Sequence, residues 1–356
     1  MMAVLCERVN LSGYTTLRLG GPARRFVEAM TDDELIGAVR DADESGEALL
    51  VLGGGSNLVV ADEGFPGTVV HVATRGVTIT PSPRGGVLVR AQAGEEWEPF
   101  VARCVEEGLA GVECLSGIPG RLGATPIQNV GAYGQDVSET IVEVRAYDRE
   151  RGEVVTLDRE ACGFAYRDSA FKRSRRHVVL EVTFALEPAD LSTPIRYAEL
   201  ARRLDVPVGD RVPLKDAREA VLALRRGKGM VVDVTDPDTR SAGSFFTNPI
   251  LDSGQVAELE RRVADRLGPD VTFPRYPESD GHVKTSAAWL IDKAGFGKGY
   301  ARGPVRISTK HTLALTNPDG ARTADLLALA REVRDGVRAA FGVTLVNEPV
   351  FVGVSL

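Results

Sequence analysis

Residues 116–136 read S-G-I-P-G-R-L-G-A-T-P-I-Q-N-V-G-A-Y-G-Q-D, and this stretch decides how the chain around it must fold. A regular helix or strand of this length does not tolerate so many glycines and prolines. We therefore predict a loop whose backbone N–H groups approach a ligand closely, since glycine has no Cβ. Phosphate is the usual ligand of such a loop. The apolar side chains of Ile118, Ile127 and Val130 favour an ordered binding loop over a solvated one.

A second glycine-rich turn, G-G-G-S-N, occupies residues 53–57. Strands are predicted before it, over 48–52, and after it, over 58–60. A β-α-β order followed by glycines is similar to a dinucleotide fold, but the G-x-G-x-x-G pattern is absent and no helix follows the turn. These features exclude a Rossmann motif. The two glycine loops together still suit a ligand that contains a pyrophosphate.

Composition and charge narrow the function classes. The chain has 356 residues, enough for two or three domains, with 43 Lys and Arg against 50 Asp and Glu. The formal charge of −7 provides no basic field for nucleic acid or anionic lipid, so local cations must hold an anionic substrate. No C-x-x-C, signal peptide, Walker loop or Ser-His-Asp arrangement is present, and no metal site is expected. We expect a protein of the cytoplasm.

Periodicity and capping signals predict an α+β chain with mixed sheets. Predicted helices cover residues 31–45, 96–107, 216–224, 252–267, 286–293 and 323–341. Predicted strands include 25–30, 68–73, 87–93, 140–148, 153–157, 178–186 and segments of 343–356. The polar residues 233–240 are typical of a domain linker.

Three polar residues lie in apolar or glycine-rich settings: Arg167, Ser244 and Glu348. Alone, a Ser in a turn or a Glu before Pro is usually structural, and the cations at 173–176 are more typical of a solvated surface. The motifs around these three residues are Y-R-D-S at 166–169, G-S-F-F-T-N-P at 243–249 and E-P at 348–349.

Together with the loop at 116–136, T-T-L-R-L-G-G at 15–21 and G-G-G-S-N-L-V-V at 53–60, these motifs are similar to those of the UDP-N-acetylenolpyruvoylglucosamine reductase family, in the same order. Tyr197 and Leu200 resemble the substrate-covering segment of the longer subtype, type I. Arg121 departs from the pattern, because a small residue is expected there.

This resemblance implies an α+β fold of the vanillyl-alcohol-oxidase (PCMH) type, in which two subdomains hold FAD. It implies subdomain 1 at residues 1–78 with 350–356 returning to it, subdomain 2 at 79–232, and a C-terminal α+β substrate-binding domain at 233–349.

The implied activity is that of an oxidoreductase of peptidoglycan synthesis, hence of cell wall biogenesis, cell shape and cell division. NADPH would reduce bound FAD, and the flavin would reduce UDP-N-acetylglucosamine enolpyruvate to UDP-N-acetylmuramate. The resemblance implies flavin-binding residues in both glycine loops: Gly53, Gly54, Gly55, Ser56, Asn57, Ser116, Ile118, Pro119, Gly120, Gly123, Ala124, Gln128, Asn129, Gly131, Ala132, Tyr133 and Gly134.

The resemblance also implies catalytic roles. Arg167 would stabilise the negative charge on the substrate, Ser244 would donate a proton to C2, and Glu348 would polarise the substrate carboxylate. It points to a second set of residues for the UDP moiety: Tyr197, Arg225, Lys228, Asn248 and Lys293. For Arg225 and Lys228, a favourable interaction with the helix dipole is the structural alternative.

Two alternatives stay open on the sequence. One is an FAD-dependent oxidase or dehydrogenase of an alcohol or sugar, a class that often attaches flavin through His or Cys, and for which His71 is a stray candidate. The other is a flavin- or nucleotide-binding module without catalysis, which would have no need of Arg167, Ser244 and Glu348. In every case we expect a monomer that acts on small molecules, without nucleic acid or membrane partners.

Overall fold

A computed structural model describes residues 4–278 and 280–356. The helices in these ranges are α1 (Asp32–Glu44), α2 (Trp97–Glu106), α3 (Thr125–Gln128), α4 (Ala170–Arg173), α5 (Ala198–Leu204), α6 (Leu214–Gly227), α7 (Ser253–Leu267), α8 (Ala287–Lys293) and α9 (Thr323–Phe341). The strands are β1 (Val4–Glu7), β2 (Ala23–Ala29), β3 (Leu49–Leu52), β4 (Leu58–Val60), β5 (Phe65–Val72), β6 (Val77–Pro81), β7 (Val87–Gln92), β8 (Leu109–Ala110), β9 (Gly131–Ala132), β10 (Gln135–Asp136), β11 (Ile141–Asp148), β12 (Glu153–Asp158), β13 (His177–Pro188), β14 (Ile250–Leu251), β15 (Tyr276–Pro277), β16 (Val283–Lys284), β17 (Ala301–Arg302), β18 (Val305–Ile307), β19 (Leu315–Thr316) and β20 (Val350–Val352).

The chain divides into two compact units. Unit 1 comprises the chain up to Val9, Ala23–Gly54 and Pro66–Val231. Unit 2 comprises Asn10–Pro22, Gly55–Phe65 and Val232–Leu356. The division into three domains that we inferred from the sequence stays a prediction.

Two larger sheets and the short pair β9–β10 lie in the described part of unit 1. In the first, of order β1-β2-β5-β3, β1 and β2 are antiparallel while β3 and β5 are parallel. In the second, of order β12-β11-β13-β7-β6, neighbouring strands are antiparallel, and β8 pairs with β13. This arrangement is mixed rather than a repeated βαβ unit, as the sequence predicted.

An aromatic cluster in the core of unit 1 supports the start of the glycine-rich loop. Trp97 and Phe100 of α2 pack against Phe184 of β13, with ring centroids 6.0 and 5.3 Å from that of Phe184. The indole Nε1 of Trp97 donates a hydrogen bond of 3.1 Å to the Leu115 carbonyl, directly before the loop. Burial of these rings therefore fixes the backbone from which the loop departs.

Unit 2 is built around α9. This helix ends at Gly342, whose φ of +73° is the left-handed conformation of a helix C-terminus. Its buried face carries Leu326, Leu329, Val333 and Val337, so the helix predicted over 323–341 is confirmed. The last strand, β20, pairs in parallel with β4. Within the described residues, no helix combines the length and the apolar character needed to cross a bilayer.

The structure corrects the predicted start of one helix. Helix α6 begins at Leu214 after Pro213, two residues before the start predicted at 216, because the buried Leu214 extends its apolar face. Of the strands predicted in segments of 343–356, the structure contains β20. The polar segment 233–240 contains an ordered turn in which Asp238 is buried and accepts a hydrogen bond from Arg306 at 3.1 Å, and its role as a domain linker stays a prediction.

Candidate functional site

The glycine-rich loop of unit 1 is held at its start by hydrogen bonds from buried groups. The Ser116 hydroxyl donates to the Glu113 carbonyl at 2.7 Å, and the Gly117 N–H donates to the Glu98 carboxylate. Ser116 is fully buried, so its side chain stabilises the loop from within. Within the loop, one helical turn (α3) ends at Asn129, which adopts a φ of +43°.

The two predicted glycine loops lie against each other in unit 1. A Cβ on Gly54 would lie 2.7 Å from the Cα of Gly120, a separation that side chains do not reach. A Cβ on Gly123 would lie 2.5 Å from the Cβ of Ala93 in the neighbouring strand segment. Glycine at these positions is therefore required for the close approach of two backbone segments, and we call the two glycine loops together the glycine cradle.

The boundary between the units falls inside the first glycine turn. Gly53 and Gly54 belong to unit 1, whereas Gly55, Ser56 and Asn57 belong to unit 2. Gly55 has a φ of +58°, and a Cβ there would overlap the Tyr14 carbonyl oxygen. Glycine is thus also required on the unit 2 side of the turn.

Arg121, the departure from the family pattern, packs its stem beside Gly53. Its Cβ and Cγ lie 3.5 and 3.6 Å from the place of a Cβ on that glycine. Its Nη1 donates to the Gly94 carbonyl at 3.1 Å and to the Glu96 carboxylate at 3.0 Å. Burial lowers the pKa of the Arg121 guanidinium from its usual value. Hydrogen bonds within unit 1 therefore accommodate the larger side chain.

Arg167 lies in a tight turn whose backbone closes on itself. The Ala165 N–H donates to the Asp168 carbonyl at 3.0 Å, and Arg167 between them has a φ of +52°. Its guanidinium donates to the carbonyls of Asn129 and Gly131, at 3.2 and 2.5 Å. The structure therefore brings this sequence-predicted residue to the glycine-rich loop, although 31 residues separate Arg167 from Asp136 at the end of that loop.

Asn129 links the loop to the Arg167 turn from the other side. Its Nδ2 donates to the Ala165 carbonyl at 2.9 Å, and its Oδ1 accepts a hydrogen bond of 3.3 Å from the Ser138 N–H. The Ser169 hydroxyl also donates to the Ile127 carbonyl at 2.8 Å. These bonds make the loop and the Arg167 turn one structural element.

Three residues predicted from the sequence come together beside the loop. The ring of Tyr133 packs edge-on against Tyr197 at 5.5 Å, and the Lys228 ammonium lies 5.6 Å from the Tyr133 ring centroid. Lys228 also pairs with Glu199 at 2.6 Å. Burial raises the pKa of Tyr133 to about 12, so its hydroxyl stays protonated at neutral pH.

Arg225 reaches the same loop from α6. Its Nε lies 3.4 Å from the place of a Cβ on Gly117, and its Nη2 donates to the Met230 carbonyl at 3.0 Å. The Nε itself is buried without a hydrogen-bond partner, and burial lowers the pKa of the guanidinium. An unsatisfied buried donor is costly, so an anionic group at this place would be stabilised.

In unit 2, Ser244 and Glu348 lie on adjacent backbone segments. The Glu348 N–H donates to the Phe245 carbonyl at 2.9 Å, and the Phe245 N–H donates to the Leu313 carbonyl at 2.7 Å. Phe245 and Phe246 are almost fully buried, while Ser244 and Glu348 are half-buried. The two buried rings anchor the segment and leave Ser244 at the edge of the core.

The other unit 2 candidates have structural partners. The Asn248 Oδ1 accepts a hydrogen bond of 3.0 Å from the Ala287 N–H, at the start of α8. Lys293, at the end of α8, is exposed and pairs with Asp292 at 3.2 Å. These contacts hold both side chains within unit 2.

His71, the candidate for flavin attachment, lies beside a carboxylate. It lies on β5 in unit 1, and its Nδ1 is 3.1 Å from the Glu28 carboxylate. Burial lowers the pKa of its imidazole. The described residues contain no group of three or more His, Cys, Asp and Glu side chains that could hold a metal ion.

Three carboxylates that the sequence did not indicate form hydrogen bonds or ion pairs in or beside the loop. Glu98 accepts from Gly117 and Arg218, and Asp136 pairs with Arg167 at 3.4 Å. Glu113 is fully buried and accepts from Gly111 at 2.7 Å and from the Thr193 hydroxyl at 2.8 Å. Their partners are distant in sequence or are backbone groups, so no local pattern indicated them.

Two family models match the chain and cover both glycine loops and the Ser244 segment. Residues 23–158 match the FAD binding domain, and residues 236–352 match the C-terminal domain of UDP-N-acetylenolpyruvoylglucosamine reductase. The glycine cradle described above fits a dinucleotide of this kind. The fold and the site thus define a FAD-dependent oxidoreductase, and the predicted α+β flavoprotein fold is confirmed.

Full-length relatives specify the family. The chain is 64% identical to UDP-N-acetylenolpyruvoylglucosamine reductase of Thermobifida fusca, over 100% of both chains. It is 63% identical to that of Streptomyces coelicolor, over 97% of this chain and 90% of the relative. The crystal structure of the Thermus caldophilus reductase superposes with a TM-score of 0.67 at 26% identity, covering 99% of this chain and 100% of that one. This chain belongs to the UDP-N-acetylenolpyruvoylglucosamine reductase family.

Proposed function

We propose that this chain reduces UDP-N-acetylglucosamine enolpyruvate to UDP-N-acetylmuramate with NADPH, through bound FAD, in peptidoglycan precursor synthesis. One observation carries this conclusion: 64% identity to a reductase of this name along the whole of both chains. The family model for the C-terminal domain agrees with it. The substrates are therefore small molecules.

We infer that both glycine loops hold the flavin. We propose this role for residues 53–57 and for the flavin-binding residues named above between Ser116 and Gly134. FAD bound by these residues would supply hydride transfer from NADPH to the enolpyruvyl double bond. The close approach of Gly54 to Gly120 supports the proposal, because it leaves backbone rather than side chains to line the cradle.

We propose that Arg167 stabilises the negative charge that develops on C2 and the carboxylate of the substrate during hydride transfer. A fixed cation at that place stabilises the transition state more than the ground state. The hydrogen bonds of Arg167 to two backbone carbonyls support this role, because they fix the guanidinium before substrate binds.

We propose that Ser244 donates the proton that C2 receives. A serine hydroxyl is a weak acid in water, so the reaction requires positive charge or a proton relay near it. Glu348, when protonated, would polarise the substrate carboxylate. The backbone hydrogen bond between Glu348 and Phe245 supports a shared role, since it fixes the spacing of Glu348 from the segment that carries Ser244.

For the UDP moiety we propose Arg225, Lys228 and Tyr197, with Asn248 and Lys293 as further contacts. The partnerless Nε of Arg225 and the cluster of Lys228 with Tyr133 and Tyr197 support the first group. We further propose that the protein works as a monomer in the cytoplasm, and that its domains divide near residues 78 and 232.

The function is tested by anaerobic half-reactions on the purified flavoprotein. NADPH is used to bleach the visible flavin band, and UDP-N-acetylglucosamine enolpyruvate is then added. We expect rapid return of the oxidised spectrum with formation of UDP-N-acetylmuramate. A band that stays bleached until oxygen enters would contradict the proposal and would favour an oxidase.

The role of Ser244 is tested by Ser244→Ala in the same assay. We expect reoxidation by the enolpyruvyl substrate to slow by about 10²–10⁴-fold, the usual contribution of a proton donor, while reduction by NADPH is retained. Thr247→Ala is the matched control, because it removes another hydroxyl of the same segment, one that donates to the Val346 carbonyl at 3.4 Å. If Ser244→Ala slows both half-reactions equally, Ser244 is structural.

A further inference from the structure

A carboxylate outside the proposed catalytic set contacts Arg167. The Oδ1 of Asp136 lies 3.4 Å from the Nη1 of Arg167, which also donates to the Asn129 carbonyl. The Nη2 donates to the Gly131 carbonyl. Three acceptors from the glycine-rich loop therefore surround one planar guanidinium, and Asp136 is the charged one among them.

The loop is shaped to bring Asp136 to this place. Gly131 and Asp136 are directly opposed partners of the antiparallel pair β9–β10. A Cβ on Gly131 would overlap the Oδ1 of Asp136 and would lie 2.9 Å from the Nη1 of Arg167. The glycine thus leaves the space in which the carboxylate and the guanidinium meet.

The backbone of Arg167 adds a second constraint. Its φ of +52° is sparsely populated for a residue with a side chain, and strain of this kind persists only where neighbouring contacts fix it. The Lys172 ammonium donates to the Arg167 carbonyl at 2.7 Å and thereby holds the turn. The turn fixes the base of the side chain, and the loop acceptors fix its charged end.

We propose that Asp136 is a positioning residue that sets the orientation of the Arg167 guanidinium for the reduction of the enolpyruvyl substrate; this rests on the function proposed above. A bond to a carboxylate is directional, so it fixes the plane of the guanidinium and the direction in which the charge acts. The carboxylate also offsets part of the positive charge. Its removal therefore weakens the alignment of Arg167 without weakening the attraction for an anionic substrate.

The test is Asp136→Asn in the anaerobic half-reactions. We expect reoxidation at saturating enolpyruvyl substrate to slow about tenfold, less than the 10²–10³-fold expected for loss of the charged donor itself. FAD content and reduction by NADPH are expected to match wild type, and the half-saturating substrate concentration is not expected to rise. Asp136→Glu restores the carboxylate and is expected to recover most of the rate.

Asp43→Asn is the matched control. It removes the carboxylate of another ion pair in unit 1, in which Asp43 lies 2.5 Å from Arg149 with 29% of its side chain exposed. We expect neither half-reaction to change in this variant. Equal slowing of both half-reactions in Asp136→Asn, or no recovery in Asp136→Glu, would overturn the inference.

Arg167→Lys separates this inference from the proposed function. Where Arg167→Lys slows reoxidation and Asp136→Asn adds nothing to it in the double variant, the two residues act as one unit, as proposed. Where Arg167→Lys slows reoxidation and Asp136→Asn does not, only the role of Asp136 is overturned. Where Arg167→Lys leaves reoxidation unchanged, the proposed role of Arg167 fails and the role of Asp136 fails with it.

Discussion

The segments that carry Arg167 and Ser244 are held in different ways. Arg167 is fixed by directional bonds: two loop carbonyls, a carboxylate and a turn with positive φ. Ser244 precedes two buried phenylalanines, and the backbone of Phe245 forms hydrogen bonds to the backbone of Glu348 and of Leu313. A charged group is thus positioned by polar partners in unit 1, and a neutral hydroxyl by apolar packing in unit 2.

The glycines of the two units show the same contrast. In the two glycine loops, an added Cβ at Gly54 or Gly123 would collide with another segment of the chain, and one at Gly131 would collide with Asp136 of the same loop. At Gly243, before Ser244, no atom lies within 4 Å of an added Cβ, and glycine is favoured by its φ of +73° alone. Close packing shapes the glycine loops, whereas local backbone conformation shapes the Ser244 segment.

The largest effect is expected for Phe245→Ala in unit 2. Phe245 is fully buried, with its ring centroid 5.2 Å from that of Phe246, and its truncation is expected to cost about 3–5 kcal/mol of unfolding free energy. Urea unfolding followed by circular dichroism measures this loss.

The variant of unit 1 to compare with Phe245→Ala is Tyr166→Ala, beside Arg167. The Tyr166 side chain is 42% exposed and its ring centroid lies 5.3 Å from the Arg167 guanidinium carbon, so we expect a cost of about 1 kcal/mol or less. Equal costs for the two variants would contradict the claim that apolar packing holds the Ser244 segment in particular.

A smaller effect is expected for Gly123→Ala. The new methyl group would lie 2.5 Å from the Ala93 Cβ, so the loop must shift, at a cost of about 1–3 kcal/mol. We expect weaker FAD binding, measured as the flavin retained per chain after dialysis. Gly243→Ala is the control: it strains only its own backbone and is expected to retain the flavin of wild type. Loss of flavin in both variants would show that the contrast between the loops is not real.

Much of the fold was predictable because its signals are local. The buried face of α9 and its terminal Gly342 are adjacent in sequence, and they specified the helix from Thr323 to Phe341. Likewise, the glycine-rich composition of residues 116–136 identified an ordered loop. The start of helix α6 was harder to predict, since it depends on the burial of Leu214 rather than on a capping side chain.

The fine structure of the site was not predictable for a physical reason. Asp136 and Glu98 act on Arg167 and Gly117, partners that lie far along the chain or contribute only a backbone N–H. From the sequence alone, a carboxylate that stabilises a loop cannot be distinguished from one that is solvated. Only the pairing of β9 with β10 and the packing of α2 reveal these contacts.

The smallest effect is expected for Glu258→Gln on α7, which tests whether surface charge matters in unit 2. Hydrogen bonds from Arg261, then Arg262, lower the pKa of Glu258 to about 2, from an ordinary value of 4.5. Because the folded-state pKa is lowered, the stabilisation is present above pH 4.5 and is lost as the pH falls towards 2. The side chain is 41% exposed, so solvent and salt screen the pair. We expect a slightly lower urea midpoint than wild type at neutral pH, a difference that shrinks in high salt and below about pH 4. A loss as large as that of Phe245→Ala would contradict the view that apolar packing dominates this unit.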